Sequence, residues 1–252
     1  MMQLRTIDLN CDMGESYGRF SIGNDLEILP FISSCNIACG YHGGDPTSII
    51  QIMDVAGKSS KKLGAHPSYP DFMGFGRRSM QVSPFDLYSM ILYQVGALMS
   101  VAGSLNSRLH HVKPHGALYH DLGKDENSAQ AFCEAIHALD PKLIIYAFPD
   151  SLLSKIAAER GLTCYREGFA DRKYLDNGTL MDRNLPGSVI HDPQSAAIQA
   201  LHMVKEGWVS SNTGKRIPIQ VDTLCIHGDT KGAIDIAKEV SSILSEKGIV
   251  IQ

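Results

Sequence analysis

Ionisable and imidazole side chains recur in this chain directly after short apolar segments. Each segment ends in a turn marked by Gly or Pro, and the segments are residues 7–15, 36–42, 63–67, 111–116, 165–172 and 224–229. A parallel β/α barrel places the C-terminal ends of its strands on one rim, where its active site lies. The repetition of this pattern along the chain therefore predicts an enzyme.

Acidic and amide side chains are concentrated in the first of these segments. Asp8, Asn10 and Asp12 fall on one face of a strand by alternation, and Glu15 follows in the turn. Asp8 lies between two apolar residues, so a solvated loop accounts for it poorly. Buried carboxylates need partners, and in the mouth of a barrel we expect a substrate, a metal ion or another cation to supply them.

Four histidines, His42, His66, His115 and His227, each follow a predicted strand. Two histidines and one carboxylate can bind a divalent metal ion, and Asp12, His42 and His66 are the set that we predict for such a site. The same imidazoles could instead act as general acids or oxyanion donors without a metal. The predicted catalytic residues are Asp12, Glu15, His42, His66, His115 and His227.

Cationic side chains accompany the acids. Lys113 ends a predicted strand and could be a Schiff-base nucleophile, but we favour a clamp for a carboxylate or phosphate because acidic neighbours keep its ammonium group charged. Arg77 and Arg78 follow a Gly-rich loop that could be a lid or substrate clamp, or simply a solvated basic turn. The helix that opens at Asp45 could hold an anion on its backbone N–H groups. The predicted substrate- or phosphate-binding residues are Asp8, Asn10, Asp45, Arg77, Arg78, Lys113, Glu167, Asp171, Arg172 and Asp229.

Composition limits the possible functions. The chain has 252 residues, is 44% hydrophobic and has a formal net charge of −4, which suits one large α/β domain. There is no basic surface to hold nucleic-acid phosphates, no run of 18 apolar residues to span a membrane, and no signal-peptide pattern. We therefore expect a cytoplasmic protein without nucleic-acid or membrane partners. The P-loop sequence is absent, so a nucleotide would have to bind without one.

The six cysteines form no CxxC pair, and we expect buried thiols. A nucleophilic role is the less favoured alternative, and Cys11 and Cys39 are its candidates because they neighbour the predicted rim.

Strands and helices alternate along nearly the whole chain. The predicted strands are 4–11, 35–39, 63–66, 109–113, 143–148, 164–167 and 222–226, with a hairpin in 208–220 that turns at residues 213–214. The predicted helices are 25–31, 46–62, 84–105, 126–139, 151–160, 193–206 and 232–247, with Asn24, Asp45, Asp150 and Asp192 as N-caps. This alternation predicts a parallel sheet in one domain, residues 1–252.

We favour an irregular parallel β/α barrel of about seven strands over an open doubly wound sheet. The candidate residues are spread over nearly all the predicted strands, whereas an open sheet concentrates them near one switch point. No Gly-rich dinucleotide loop follows the first strand.

Several long motifs resemble those of the LamB/YcsF family. They are DLNCDMGE (8–15), CNIACGYHGGDP (35–46), GAHPSYPDFMGFGRR (64–78), VKPHGALYH (112–120), EGFADRKY (167–174) and CIHGD (225–229). The resemblance implies an irregular β/α barrel like those of glycoside hydrolases and sugar deacetylases. It also implies the activity of the bacterial 5-oxoprolinase, which is ATP-dependent opening of 5-oxo-L-proline to L-glutamate by this chain together with subunits B and C.

ATP would activate the substrate in such a reaction. A five-membered lactam resists hydrolysis, whereas phosphorylation of its amide oxygen turns it into a better electrophile. On this hypothesis the lysine and arginines hold the substrate carboxylate or phosphates. Asp12 or Glu15 binds Mg²⁺ or activates water, and the four histidines relay protons or stabilise charge.

Two other functions stay open at this stage. The Asp–His–His set also fits a metal-dependent deacetylase or amidase that acts alone, which would hold stoichiometric metal and need no ATP. A non-catalytic subunit that binds a carbohydrate or lactam and delivers it to partners is the third possibility.

Overall fold

The computed structural model describes residues 5–230 and 232–252, so the predicted start of the first strand at residue 4 lies outside the described residues. The strands are β1 Arg5–Met13, β2 Ser34–Ala38, β3 Lys62–His66, β4 Leu109–Val112, β5 Ile144–Ala147, β6 Cys164–Phe169, β7 Trp208–Ser210, β8 Arg216–Pro218, β9 Thr223–Ile226 and β10 Ile249–Ile251. The α-helices are α1 Asp25–Ile28, α2 Pro46–Lys58, α3 Pro84–Ser104, α4 Gly116–Asp121, α5 Glu126–Leu139, α6 Leu152–Glu159, α7 Pro193–Leu201 and α8 Ala233–Glu246. A 3₁₀ helix, Leu29–Phe31, follows α1, and a π-helix, His202–Glu206, follows α7.

The main sheet has the strand order β10-β1-β2-β3-β4-β5-β6-β9, and β1 also pairs with β9. The pairings of β1 with β9 and β10, of β6 with β9, and along β2 to β5 are all parallel. Strands β1 to β6 and β9 therefore form a closed sheet, and the predicted seven-stranded parallel β/α barrel is confirmed. Strands β7 and β8 form the predicted antiparallel hairpin.

The described residues form two compact units. The first unit comprises residues 5–11, 23–33 and 166–252 apart from 231, and the second unit comprises residues 12–22 and 34–165. That the whole chain is one domain stays a prediction.

Helices α2, α3, α5 and α6 accompany strands β2 to β5 in the second unit, and α3 packs against α5. Ile37, Ile52, Ile91 and Phe132 are buried in its core. Among the described residues, α3 alone is long and apolar enough to cross a membrane by length and composition. One such helix is weak evidence for a span, because core helices of soluble proteins satisfy the same criterion.

In the first unit, α7 and α8 pack against each other, and α8 also contacts β9 and β10. Leu9, Leu224, Ile236 and Val240 are fully buried there. Strand β1 changes neighbours along its length, because Arg5 to Ile7 pair with β10 whereas the segment from Asp8 onwards pairs with β9.

Some predicted element ends and caps were wrong. Asp150 has a φ of +56° and cannot adopt the extended backbone of an N-cap, so Ser151 caps α6 through its hydroxyl oxygen, which accepts from the Ser154 N–H. The Asn24 side chain makes no capping hydrogen bond. Helix α2 ends at Lys58, four residues before the predicted end, and Ser60 follows it with a φ of +56°.

Two elements, α4 and β10, were not predicted. They contain six and three residues, respectively, which is too short to show a clear hydrophobic period. The predicted caps Asp45 and Asp192 and the bounds of α5 are confirmed.

Gly64 allows the close approach of β3 to β4. A Cβ atom at this position would lie 2.1 Å from His111 Nε2. His111 is fully buried, and its Nε2 is within hydrogen-bond distance of Asn36 Oδ1. The ring therefore has little room to move away.

We expect Gly64→Ala to lower the free energy of unfolding by about 1–3 kcal/mol, because the added methyl group overpacks the core against His111. Gly103→Ala is the matched control, since Gly103 lies in α3 with nothing within 4 Å of the added methyl group. That change should raise stability by up to about 1 kcal/mol through helix propensity. Urea unfolding of both variants measures the difference, and equal stability of the two would contradict the account.

Candidate active site

The carboxyl ends of β2, β3 and β4 position most of the candidate residues of the second unit. His66 is the last residue of β3 and pairs with Ala38 at the end of β2. Beyond β4, the N–H groups of Lys113 and His115 continue the pairing by donating to the carbonyl oxygens of Ala65 and Pro67 at 2.9 and 2.8 Å. Parallel strands bring their carboxyl ends to the same edge of the sheet, so the side chains at these positions meet.

Asp12 is the centre of a buried ion pair. Its Oδ1 accepts from Lys113 Nζ at 3.0 Å and from Asn36 Nδ2 at 2.8 Å, while its Oδ2 lies 3.4 Å from His66 Nε2. Asp12, Lys113 and Asn36 are all buried. Removing one member of a buried, hydrogen-bonded ion pair leaves an uncompensated charge, so these positions depend strongly on one another.

Asn36 and His111 extend this network, and sequence reasoning missed both. Because the Asp12 carboxylate can only accept, the amide nitrogen of Asn36 faces Asp12 and its Oδ1 accepts from His111 Nε2–H at 2.7 Å. Burial, followed by the charges of His110 and Lys113, lowers the pKa of His111 well below its usual value, so its ring is neutral. The sequence did contain a signal for His111, because alternation along the predicted strand places it on the same face as Lys113.

Glu15, His42, His66 and His115 form a second buried group, which we call the histidine cluster. His42 Nε2 lies 3.0 Å from Glu15 Oε1, and His115 Nδ1 lies 2.9 Å from His66 Nε2 and 3.7 Å from Glu15 Oε1. The rings of His42 and His115 stack with their centroids 3.7 Å apart. Burial, followed by repulsion from neighbouring imidazoles, lowers the pKa of His42 and of His115 well below the usual value.

The loop that contains Arg77 and Arg78 contacts the histidine cluster through Phe75. The Phe75 ring packs edge-on against the rings of His42 and His115, and the Arg77 guanidinium lies 4.8 Å from the Phe75 centroid. Arg78 instead donates from Nε to the Asp71 carboxylate at 3.0 Å. Arg77 therefore lies beside the cluster, whereas Arg78 stabilises the conformation of the loop.

Asp45 serves as the N-cap of α2. Its carboxylate accepts from the N–H groups of Thr47 and Ser48 and, through Oδ2, from the N–H of Gly18 at 3.0 Å. The hydrogen bonds from Gly18 and Ser48 lower the pKa of Asp45 to about 2. The chain's own carboxylate thus occupies the backbone N–H groups of Thr47 and Ser48, where we expected an anion to bind.

In the first unit, Asp8 and Asn10 are tied to neighbouring elements. Asp8 accepts from Ser33 Oγ at 2.8 Å and from Thr223 Oγ1 at 2.6 Å. Asn10 Nδ2 donates to Thr223 Oγ1 at 2.7 Å and to Glu167 Oε1 at 3.1 Å. A buried hydrogen-bond network through Thr223 therefore connects Asp8, Asn10 and Glu167. Sequence analysis did not predict this role of Thr223.

Asp171 and His227 form a separate acid–imidazole pair in the first unit. His227 Nδ1–H donates to the two oxygens of Asp171 at 2.9 and 3.1 Å, and the His227 backbone N–H donates to Oδ2 at 3.2 Å. Burial raises the pKa of Asp171, but the charge and hydrogen bonds of His227 outweigh it, and the net pKa lies below the usual value. In the neutral form of the ring, the lone pair is then on Nε2, which is the atom that a general base uses.

Arg172 and Asp229 also lie in the first unit. Arg172 is buried and donates from Nη2 to the Met181 carbonyl oxygen at 2.6 Å. Asp229 accepts from Arg183 Nη2 at 2.8 Å, and Arg183 was not among the predicted site residues.

The six cysteines are free thiols, and all are buried except Cys164, which is half-buried. Burial, opposed by a weaker hydrogen bond involving His66, raises the pKa of Cys39 to about 12. Cys39 is therefore a neutral thiol at physiological pH, which argues against its nucleophilic alternative.

The chain is similar to other proteins over nearly its whole length. A model of the LamB/YcsF family matches residues 7–252. A relative from Heliobacterium modesticaldum, described as the A subunit of 5-oxoprolinase, is 47% identical over 246 residues, covering 98% of this chain and 97% of that protein. The crystal structure of the lactam utilization protein from Thermus thermophilus has a TM-score of 0.93 at 43% identity, covering 98% of this chain and 99% of that one.

More distant structures share the fold alone. A T48 deacetylase has a TM-score of 0.53 at 11% identity over 99% of this chain and 88% of that one. A GH113 β-1,4-mannanase has a TM-score of 0.51 at 11% identity over 94% of this chain and 99% of that one. The predicted likeness to deacetylase and glycoside hydrolase barrels is confirmed.

We expect Asp171→Asn to lower the free energy of unfolding at neutral pH by about 1–3 kcal/mol, because charged hydrogen bonds to His227 are lost. The pKa of Asp171 is depressed in the folded state, so its contribution is present above the unfolded pKa and disappears as the pH falls through the folded pKa. The stability difference from the unaltered protein should therefore shrink on acidification. Urea unfolding at neutral and acidic pH measures it, with Asp235→Asn as the exposed control. A pH-independent difference would contradict this assignment.

Proposed function

The chain belongs to the LamB/YcsF family, and from this membership we propose that it acts as the A subunit of a 5-oxoprolinase. The proposed reaction opens the lactam ring of 5-oxo-L-proline to give L-glutamate, with cleavage of ATP. The observation that carries the proposal is the similarity to relatives described as the A subunit of 5-oxoprolinase over nearly the full length of both chains. The description of the Thermus thermophilus relative as a lactam utilization protein points to the same class of substrate.

The second unit supplies the groups that lactam hydrolysis needs. The reaction adds water to the ring carbonyl carbon, breaks the C–N bond and delivers a proton to the leaving nitrogen. In our proposal Asp12 takes the proton from the attacking water. The Lys113 ammonium and the Asn36 amide favour the ionised form of Asp12 by donating hydrogen bonds to Oδ1.

Arg77 is our candidate for holding the substrate carboxylate. Its guanidinium stacks on Phe75, whose ring contacts the histidine cluster, so a carboxylate bound there would be near the buried acids and bases. A planar guanidinium can bind a carboxylate through two parallel hydrogen bonds. Arg78 is committed to Asp71 and serves the loop conformation instead.

In the first unit, His227 is our candidate acid–base group, and Asp171 orients it. The hydrogen bonds from His227 Nδ1–H fix the tautomer of the neutral ring, so Nε2 can accept or return a proton. Asp171 is thus reassigned from substrate binding to positioning.

ATP, accompanied by Mg²⁺, is a substrate of the assembled enzyme in this proposal. Transfer of its terminal phosphoryl group to the lactam oxygen would release ADP and convert a stable amide into an activated electrophile. Water would then add to the ring carbon, and expulsion of the ring nitrogen would leave an acyl phosphate. A second water would hydrolyse this acyl phosphate to glutamate and inorganic phosphate. The relatives are described as one lettered subunit of an enzyme, which supports the existence of partners, and we propose that these are subunits B and C. We place the reaction in the cytoplasm, where ATP is available and where the six thiols would remain reduced.

A metal-dependent deacetylase or amidase that acts alone is the second candidate. The observation that favours it is the buried set of three histidines and one glutamate. The two functions differ in their need for ATP and partners, which one assay resolves.

The chain combined with subunits B and C should release glutamate from 5-oxoproline when ATP is present. Asp12→Asn should lower kcat by about 10²–10⁴-fold through loss of the general base. His137→Gln, an exposed histidine of α5, is the control and should leave the rate unchanged. Glutamate release and phosphate release are measured together. Turnover by the isolated chain without ATP would replace this proposal with the amidase, and no turnover by the complete mixture would remove it.

Arg77→Ala should raise the KM for 5-oxoproline by about tenfold or more, because a charged hydrogen bond to the substrate carboxylate contributes about 1.5–3 kcal/mol. With 5-oxoprolinamide, in which an amide replaces the substrate carboxylate, the variant and the unaltered protein should have the same KM. Arg108→Ala is the control, since Arg108 is exposed and precedes β4. An unchanged KM in Arg77→Ala would assign the carboxylate to another residue.

A further inference from the structure

Two backbone carbonyl groups fix the tautomers of His66 and His115. His66 Nδ1 lies 2.7 Å from the Lys113 carbonyl oxygen, and His115 Nε2 lies 2.8 Å from the Phe75 carbonyl oxygen. A carbonyl oxygen only accepts hydrogen bonds, so each of these nitrogens carries the hydrogen. In the neutral rings the lone pairs are then on His66 Nε2 and His115 Nδ1.

These two lone-pair nitrogens face each other. They are 2.9 Å apart, and neither neutral ring has a hydrogen to place between them. Carboxylate oxygens surround them, with Asp12 Oδ2 at 3.4 Å from His66 Nε2 and Glu15 Oε1 at 3.7 Å from His115 Nδ1. Electron donors therefore converge in a buried space, which is unfavourable unless a cation lies among them.

The ligand atoms of the histidine cluster lie close enough together for one metal ion, and the parallel rings of His42 and His115 have to turn relative to each other for both lone pairs to face it. Each of Glu15, His42, His66 and His115 offers one ligand atom, and these atoms lie within 4.8 Å of one another. Zinc–nitrogen bonds in a tetrahedral site place neighbouring ligands about 3.3 Å apart. The separations of 2.9, 3.0 and 3.7 Å found for three pairs in the cluster lie around that value.

The surroundings of the rings also match a metal site. Histidines that bind metals donate the hydrogen of their other ring nitrogen to a carbonyl or carboxylate, as His66 and His115 do here. His42 Nδ1 is buried without a hydrogen-bond partner, so nothing at that nitrogen fixes the tautomer of His42.

We propose that Glu15, His42, His66 and His115 bind one divalent transition-metal ion, for which Zn²⁺ is the reference case. Three imidazole nitrogens and one carboxylate suit zinc, manganese or iron, whereas Mg²⁺ prefers six oxygen ligands. The site differs from the predicted set of Asp12, His42 and His66. Asp12 is engaged by Lys113 and Asn36, and Glu15 and His115 complete the ligands in its place.

The competing explanation is a proton shared between His66 and His115. An extra proton would make one ring an imidazolium that donates to the other, and no metal would be required. Direct metal binding separates the two explanations and requires neither ATP nor turnover, so its outcome is independent of the proposed reaction.

The test uses the full chain after chelation with dipicolinate. We expect calorimetric titration with Zn²⁺ to show about one ion per chain, Co²⁺ to give the intense visible absorption of a tetrahedral site, and Mg²⁺ alone to show no binding there. His66→Gln and His115→Gln should each weaken Zn²⁺ binding by at least about 100-fold. His137→Gln should bind as the unaltered chain does.

Circular dichroism of each variant reports whether it remains folded. Glu15→Gln removes a ligand charge with little change of shape and serves as the second test if a histidine variant unfolds. Absence of stoichiometric Zn²⁺ binding by the folded, unaltered chain would overturn the proposal in favour of the shared proton. Binding that survives in folded His66→Gln or Glu15→Gln at full affinity would overturn the assigned ligands.

Discussion

The carbonyl groups of Lys113 and Phe75 are the constraint on which the account of the second unit depends. Each fixes a hydrogen on the outer nitrogen of a buried histidine, so that the inner nitrogens of His66 and His115 present lone pairs 2.9 Å apart. The extension of β4 beyond Val112 supplies the first carbonyl group, and the loop that the Asp71–Arg78 pair stabilises supplies the second. Strand pairing and loop conformation thus determine the protonation pattern of side chains that the sequence merely places nearby.

Two other buried carboxylates follow the same rule, since each is paired with side chains from distant parts of the chain. Asp12 is held by Lys113 and Asn36, and Asp171 holds His227. Such groups cost stability unless they are paired, which is why a chain built only for stability would carry few of them. Their concentration at strand ends is the physical basis for treating them as functional groups, and the family of the chain gives the class of reaction that we propose for them.

The alternation of apolar strands and amphipathic helices was enough to predict the barrel and the presence of His66 and Lys113 at strand ends. The partners of these residues could not be predicted, because a hydrogen bond such as that between His111 and Asn36 depends on strand register, which composition does not fix. The metal set chosen from sequence included Asp12 for a similar reason. Nothing in the spacing shows that Lys113 and Asn36 occupy its Oδ1 or that the turn brings Glu15 toward His42. Sequence alone could not separate the two roles considered for Asp45, because capping and anion binding use the same N–H groups.

The most direct test of the central claim is ¹⁵N NMR of the imidazole nitrogens in metal-free chain labelled at histidine, with His66 and His115 assigned through single substitutions. We expect His66 to carry its hydrogen on Nδ1 and His115 to carry its hydrogen on Nε2, and we expect Zn²⁺ to change the chemical shift of the opposite nitrogen in each ring. The reverse tautomer in either ring, or an imidazolium that persists at neutral pH in the metal-free chain, would contradict the claim.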